Sequence, residues 1–333
     1  MSTSRPRAGN AFTLEAPAIS EIRAARDRIA GDAIRTPLLR FDADAEFEIW
    51  LKLENLQPIG SFKLRGALNR MRSLAVSVLA DGVFTASAGN MAQGVAYAAR
   101  LLGVQASVVV PDTAPKAKLD AIERLGGVVM KVPYDEWWDT MRSRHREGLR
   151  GVFVHPFADT QVMAGNGTIA LEILEDLPDV DTILVPWGGG GLTCGIAAAV
   201  GGLKPSVRVF ACEAEGAAPL TASIAEGAPV AIESRKSFID GIGGRGVFHE
   251  MWPLAQTLVA GALTASVADV ATTVRLLAQR ARIVAEGAGA TPVAVARAGL
   301  AGVSPRPRRV ACIVSGGNID AAVLAAILAG KSP

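Results

Sequence analysis

The sequence predicts an α/β protein of two lobes, each built on a mainly parallel, twisted sheet flanked by helices, with the smaller lobe inserted into the larger. Two observations carry this. From Val83 onward, short runs rich in β-branched residues alternate with amphipathic runs of helical length, the pattern of parallel strands joined by crossover helices. Three predicted strands also run into loops of Gly and small polar residues, Ser87–Asn90, Gly188–Gly191 and Ser315–Asn318, the place where open parallel sheets bind ligands. A chain of 333 residues, 50% hydrophobic, has room for one large domain or two of ordinary size. The expected division is residues 1–75 and 158–333 for the large lobe and 76–157 for the small one.

Residues 1–15 are expected to form a disordered or loosely docked tail. Ile19, Ile22, Ala25 and Ile29 line one side of a helix expected over residues 17–30. An extended segment, Thr36 to Leu39, precedes the strand-like run Ile49–Leu53. A turn with Pro58 and Gly60 then opens a helix near Lys63, with Leu64, Leu68, Met71 and Leu74 on one face. The small-lobe strands are expected at 83–86, 106–110, 128–132 and 152–155. Helices are expected over 91–102, from 115 with Asp112 or Thr113 as cap, and over 135–147, with Gly126-Gly127 as a stop. A helix over 160–177, strand 182–185, helix 192–200 and strand 207–212 follow. After a Gly- and Ala-rich stretch come helices over 267–285 and 291–300, strand 310–314 and helix 319–329.

Composition excludes several classes of function. Thirty-four basic against 32 acidic residues leave a formal charge of +2, scattered along the chain, so nucleic acid is not the expected partner. No apolar run approaches the ~20 residues of a membrane span. The N-terminus has no apolar core of a signal peptide. Three cysteines, Cys194, Cys212 and Cys312, are an odd number set in apolar runs and read as buried thiols of a cytoplasmic protein. The three histidines have no partner at metal-site spacing.

The loops carry the chemistry. Lys63 lies at a helix N-terminus, where the positive field disfavours its ammonium form, which suits a neutral nucleophile. Taken alone it is no motif and reads more readily as a solvated surface lysine. Gly188, Gly189, Gly190 and Gly191, between a strand and a helix, form a phosphate-cradle design in which backbone amides can close on an anion. The loop has no Gly-Lys-Ser/Thr ending and no Gly-x-Gly-x-x-Gly fingerprint, so a small phosphorylated cofactor suits it better than a nucleotide. A tight turn is the plainer alternative. Ser87–Asn90 can receive a carboxylate or ring hydroxyl, or Asn90 can simply cap its own helix. Ser315–Asn318 has the same ambiguity, and Glu286 within Glu286–Ala290 reads locally as a surface carboxylate.

Read in order, these stretches resemble one family over residues 36–320. The segments are Gly60–Ala67, Ser87–Asn90, His155-Pro156-Phe157 with Ala164–Thr168, Gly188–Leu192, Glu286–Ala290 and Ser315–Asn318. The chain is similar to the pyridoxal-phosphate-dependent serine/threonine dehydratases, which share the tryptophan-synthase β-subunit-like fold type II. The resemblance implies pyridoxal 5′-phosphate as cofactor, a Schiff base on Lys63, and Phe62 against the ring. It places Asn90 on the ring hydroxyl, Gly188–Gly191 and Leu192 on the phosphate, Ser315 at the pyridine nitrogen and Glu286 nearby. Ser87, Ala88, Gly89, Asn90 and Met91 would border the substrate carboxylate.

The implied reaction is dehydration and deamination of a 3-hydroxy amino acid, with L-threonine and L-serine as leading substrates, to a 2-oxo acid and ammonia. A serine at the ring nitrogen makes a weaker electron sink than a carboxylate, which favours rapid elimination over transamination. The resemblance also implies a homodimer or homotetramer.

Three positions depart from the family pattern. Met91 stands where His is usual, which opens the alternative of another 3-substituted serine, such as a 3-hydroxyaspartate or phenylserine. Asn166 stands where Gln is common. At the family's cation site Glu213 and Ala217 match but Pro219 offers no side-chain oxygen, so no metal is expected. A serine racemase is a further enzyme reading, and Ala88, where racemising relatives carry Ser, stands against it. A cofactor-binding protein without turnover is opposed by intact Lys63, Asn90 and Ser315. A nucleotide-binding Rossmann protein is opposed by the missing acidic residue about twenty positions past a Gly fingerprint.

Overall fold

The computed structural model describes residues 14–43, 45–300 and 302–331. Two sheets organise the chain. The larger runs in the order β1 (Leu38–Phe41), β2 (Glu48–Lys52), β10 (Arg309–Ile313), β7 (Thr182–Pro186), β8 (Arg208–Ala214) and β9 (Gly261–Ala265). Its neighbours are parallel except β1, which pairs antiparallel with β2. The smaller sheet is all parallel, in the order β5 (Gly127–Val132), β4 (Ala106–Pro111), β3 (Val83–Ala86) and β6 (Val152–Phe153).

The strand order places the loops together. β10 lies between β2 and β7, with Cys312 opposite both Leu51 and Leu184. Their carboxyl ends therefore emerge side by side and feed the Lys63 turn, the Ser315 loop and the Gly188 loop. β3 delivers Ser87–Asn90 from the other sheet.

Helix α2 (Lys63–Arg72) packs against α3 (Asn90–Leu102) on one side and α6 (Thr160–Asp176) on the other. Leu64, Leu68 and Met71 are wholly buried. At about 1.5–3 kcal/mol per buried side chain, this apolar face fixes the helix more firmly than intrinsic propensity, which spans about 1 kcal/mol. The approach to α6 is close because Gly165 faces the chain: a Cβ there would lie 2.4 Å from the Arg65 carbonyl oxygen. The small residues of Ala164–Thr168 thus serve backbone contact.

Several expected elements differ. Leu14 is buried with Trp187 and Met163, and Thr160 Oγ1 donates to the Glu15 carbonyl at 2.9 Å, so residues 14–15 are docked; the rest of the expected tail lies outside the described residues. Helix α4 (Lys116–Arg124) starts after Pro115 with no side-chain cap, so neither Asp112 nor Thr113 fills that role. Helix α5 (Tyr134–Ser143) ends short of Glu147 because Arg144 turns left-handed at φ 57°. The expected helix to Ala285 is α10 (Val267–Leu276) plus a π-helical turn, Leu277–Ala281, closed by left-handed Arg282. The Gly- and Ala-rich stretch, for which the sequence predicts no element, holds α8 (Pro219–Glu226), α9 (Trp252–Leu258) and β9. Helix α11 (Gly287–Arg297) begins before the expected Thr291. All three cysteines are buried and free. Among the described residues no helix is long and apolar enough to cross a membrane.

Candidate active site

Lys63 is the first residue of α2, and its Nζ donates to the Pro156 carbonyl at 2.7 Å. Its amine lies 5.1 Å from the centre of the Phe62 ring. Burial pulls the lysine pKa down to about 8, against the opposing pull of Glu286. Desolvation is thus the main cause, where the sequence had suggested the helix dipole. His155 fixes the carbonyl that holds the amine: its Nδ1 accepts from the amides of Phe157 (3.2 Å) and Ala158 (2.8 Å). Burial, with Arg144 and Lys63 adding to it, holds the imidazole pKa well below its ordinary value, so the ring is neutral and shapes the turn.

Asn90 does not cap its own helix. Its Nδ2 donates to Glu286 Oε1 at 2.9 Å and its Oδ1 accepts from Asn318 Nδ2 at 2.8 Å. The residue therefore spans from the smaller sheet to two loops of the larger one. Glu286 is no surface carboxylate either. It is 6% exposed, and burial pushes its pKa up to about 7 although the Asn90 bond favours the charged form. Ser315 is buried beside it, and its carbonyl accepts from the Phe62 amide at 3.0 Å.

The Gly188 loop is closely packed. Gly190 sits at φ +92°, and a Cβ there would meet the Trp187 ring at 2.5 Å. A Cβ on Gly189 would fall 2.2 Å from the Phe157 ring. Helix α7 (Gly191–Leu203) starts here, so its first amides have no partner within the helix and face the loop. Asn166 Nδ2 reaches the Gly191 carbonyl from behind at 3.3 Å, which gives that departure a supporting place under the loop.

One cleft of about 380 Å³ is lined by the residues expected to hold the cofactor and the substrate carboxylate: Phe62, Lys63, Ser87, Ala88, Gly89, Asn90, Met91, Gly188–Gly191, Leu192, Glu286 and Ser315. It is also lined by Tyr134, Trp137, Lys118 and Asp240, which the sequence reading missed. Lys118 and Asp240 pair across the mouth, joining α4 to the loop after α8. No motif marks any of the four; the helices beside the smaller sheet bring in Lys118, Tyr134 and Trp137, and the loop after α8 brings in Asp240.

The donor set suits pyridoxal phosphate. It offers a desolvated amine for the aldehyde, a glycine-only amide cradle at a helix N-terminus for the phosphate, and an amide and a hydroxyl for the ring. Glu213 is occupied otherwise: Oε1 accepts from the Leu220 amide (2.9 Å), and Oε2 from the Thr221 amide (2.8 Å) and hydroxyl (2.7 Å), tying both oxygens to the start of α8.

The profile of the family described as "Pyridoxal-phosphate dependent enzyme" matches residues 29–316. The chain belongs to this family. An L-threonine ammonia-lyase of Thermotoga maritima is 40% identical over 275 residues, covering 82% of this chain and 68% of the relative. The catabolic L-threonine dehydratase TdcB of Escherichia coli K12 is 37% identical over 308 residues, 91% of this chain and 93% of the relative. The solved structure of maize serine racemase superposes with a TM-score of 0.88 at 31% identity, covering 95% of this chain and 98% of that one. The pyridoxal-phosphate-dependent fold type II and the cofactor expected from the sequence both stand.

Proposed function

We propose that this member of the pyridoxal-phosphate family eliminates water from a 3-hydroxy amino acid, with L-threonine and L-serine as the first candidates, and releases a 2-oxo acid and ammonia. The observation that carries it is the enclosed Lys63 amine, with pKa near 8, set in one cleft with the Ser87–Asn90 and Gly188–Gly191 loops. When bound, the cofactor supplies an aldehyde and a pyridine ring that withdraws electrons from the substrate Cα. Lys63 would hold the aldehyde and would take the Cα proton of the substrate; a pKa near 8 leaves part of it neutral at neutral pH. The amides at the start of α3, with the Ser87 hydroxyl, receive the substrate carboxylate. The Gly188–Gly191 amides and the α7 dipole hold the phosphate. Asn90, held by its bonds to Glu286 and Asn318, would serve the ring hydroxyl. Ser315 would offer the ring nitrogen a hydroxyl, a weaker partner for a proton than a carboxylate, which would favour elimination.

The proposal includes a large cofactor lobe of residues 1–75 and 158–333 and a small lobe of 76–157, supported by the fact that β3 to β6 all fall within the latter. It also includes a homodimer or homotetramer in the cytoplasm, a setting in keeping with the free thiols. The test is release of 2-oxo acid from threonine, serine and 3-substituted serines by the holoenzyme. Lys63→Ala is expected to lose at least the ~10²–10⁴-fold of a general base. Absence of product from the whole panel would refute the reading.

A further inference from the structure

The cleft has an apolar side that proton transfer and cofactor binding leave unused. Met91 opens it, 2% exposed, one residue beyond the Ser87–Asn90 turn. Trp137 packs in one cluster with Ala86 and Val109, which are paired across β3 and β4 directly beneath that turn. The Tyr134 ring lies 5.4 Å from the Trp137 ring, tilted by 49°. Pro111, at the end of β4, closes the group, and all four side chains line the cleft. Lys63 and Glu286 aside, the charged residues lining it are Lys118 and Asp240, which neutralise each other. That side therefore offers no net charge to an acidic or basic substituent.

We infer that Met91, Pro111, Tyr134 and Trp137 form the pocket for the substrate's C3 substituent, and that they select a 3-hydroxy amino acid bearing an aryl or other large apolar group over serine and threonine. The inference rests on the elimination reading above and narrows its substrate class, placing an aryl substrate ahead of the threonine and serine named there. A carboxylate held at Ser87–Asn90 and a Cα within reach of Lys63 leave C3 next to the tryptophan that packs beneath that turn. Serine and threonine put at most a methyl there and leave the wall wet. The reaction balances without a further reagent. The Cα proton goes to Lys63, the Cα–H electron pair becomes the Cα–C3 double bond, and the C3 hydroxyl leaves as water with the proton that Lys63 gives back. Hydrolysis of the resulting enamine returns one water and releases ammonia and a 3-aryl-2-oxo acid.

A single methylene in an apolar pocket discriminates by roughly 10–200-fold, so a phenyl ring gives room for a clear preference. The holoenzyme is assayed with L-threo-3-phenylserine, L-threonine and L-serine. In parallel, L-phenylalanine and L-alanine, which have no hydroxyl to lose, are titrated by calorimetry. Expected are a kcat/KM for phenylserine at least tenfold above threonine, and a phenylalanine Kd at least tenfold below that of alanine. In Trp137→Ala the phenylserine-to-serine ratio of kcat/KM should fall about tenfold, and Trp137→Phe should restore most of it. If Trp137→Ala does not fold, Tyr134→Ala on the half-exposed flank should lower the same ratio. A preference for serine or threonine, or ratios unmoved by these variants, overturns the inference. If no amino acid is turned over, the elimination reading fails, and equal binding of phenylalanine and alanine separately rejects the apolar pocket.

Discussion

Replacing Arg65 with leucine removes the centre of a buried charge cluster two residues from Lys63. Its guanidinium bonds Glu54 through Nε (2.8 Å) and Nη2 (2.8 Å), and Glu172 through Nη1 (2.6 Å) and Nη2 (3.0 Å). Lys52 Nζ completes a neutral set of two cations and two anions, 2.6 Å from Glu172. Burial pushes the Glu54 carboxyl up, but Arg65, Thr36 and Lys52 more than offset this and hold it below its usual range. In the variant Lys52 still serves Glu172, while Glu54 keeps only the Thr36 and Gln57 side chains as direct polar partners. Stranding one buried charge this way costs about 3–5 kcal/mol. At about 2 °C per kcal/mol this lowers Tm by roughly 6–10 °C.

The sign with pH follows from the same carboxylate. A depressed folded pKa contributes stability above the unfolded value and loses it as pH falls through the folded one. In the variant that contribution is gone, so the gap between the two proteins should be widest at neutral pH and shrink below about 4.5. Urea unfolding at pH 7 and pH 4, with the double variant Arg65→Leu/Glu54→Gln recovering most of the loss at pH 7, is the assay. A loss under about 1 kcal/mol would show that the cluster does not anchor the start of α2.

Other outcomes follow from the cleft. With the Lys63 pKa lowered to about 8, attachment of pyridoxal phosphate to cofactor-free protein should speed up about tenfold per pH unit below 8 and level off above it. Levelling only near pH ~10.4 would mark an unperturbed lysine. Because burial disfavours the charged amine, this group makes the cofactor-free protein gain stability as pH rises from about 8 toward the unfolded value of about 10.4. Loss of that slope in Lys63→Met checks the assignment. Exhaustive chelation should leave turnover and Tm nearly unchanged, since both Glu213 oxygens already serve α8; a loss restored only by Mg²⁺ or Ca²⁺ would contradict this. L-serine should give pyruvate without comparable D-serine, because Ala88, on the cleft wall, presents a methyl that cannot exchange a proton. Chiral chromatography showing D-serine at a similar rate would place a proton donor elsewhere.

The site was legible because its residues sit where strands end, and strand ends are marked by abrupt changes from β-branched to Gly-rich sequence. β3 was placed at its observed bounds for that reason. What escaped was set by packing across the chain. β9, Gly261–Ala265, is a partly buried edge strand with Gly and two Ala, which reads as a loop until it pairs with β8. The π-helical turn at 277–281 continues an apolar period unbroken, so nothing local signals that Arg282 ends it. Glu286 looked exposed because a lone carboxylate among small residues usually is; only its bond to Asn90, 196 positions away in sequence, makes it interior. Trp137 belongs to a helix with no motif, and its place in the cleft follows from α5 packing back over β3 and β4.

The central claim is that Lys63 carries the cofactor, and reduction with borohydride followed by peptide mapping tests it most directly. The cofactor adduct should fall on Lys63, in the peptide containing Ser61-Phe62-Lys63. Lys52 is spent on Glu172 and Lys118 on Asp240, and Lys116 pairs with Asp120 on the surface. An adduct on any of those three would contradict the account.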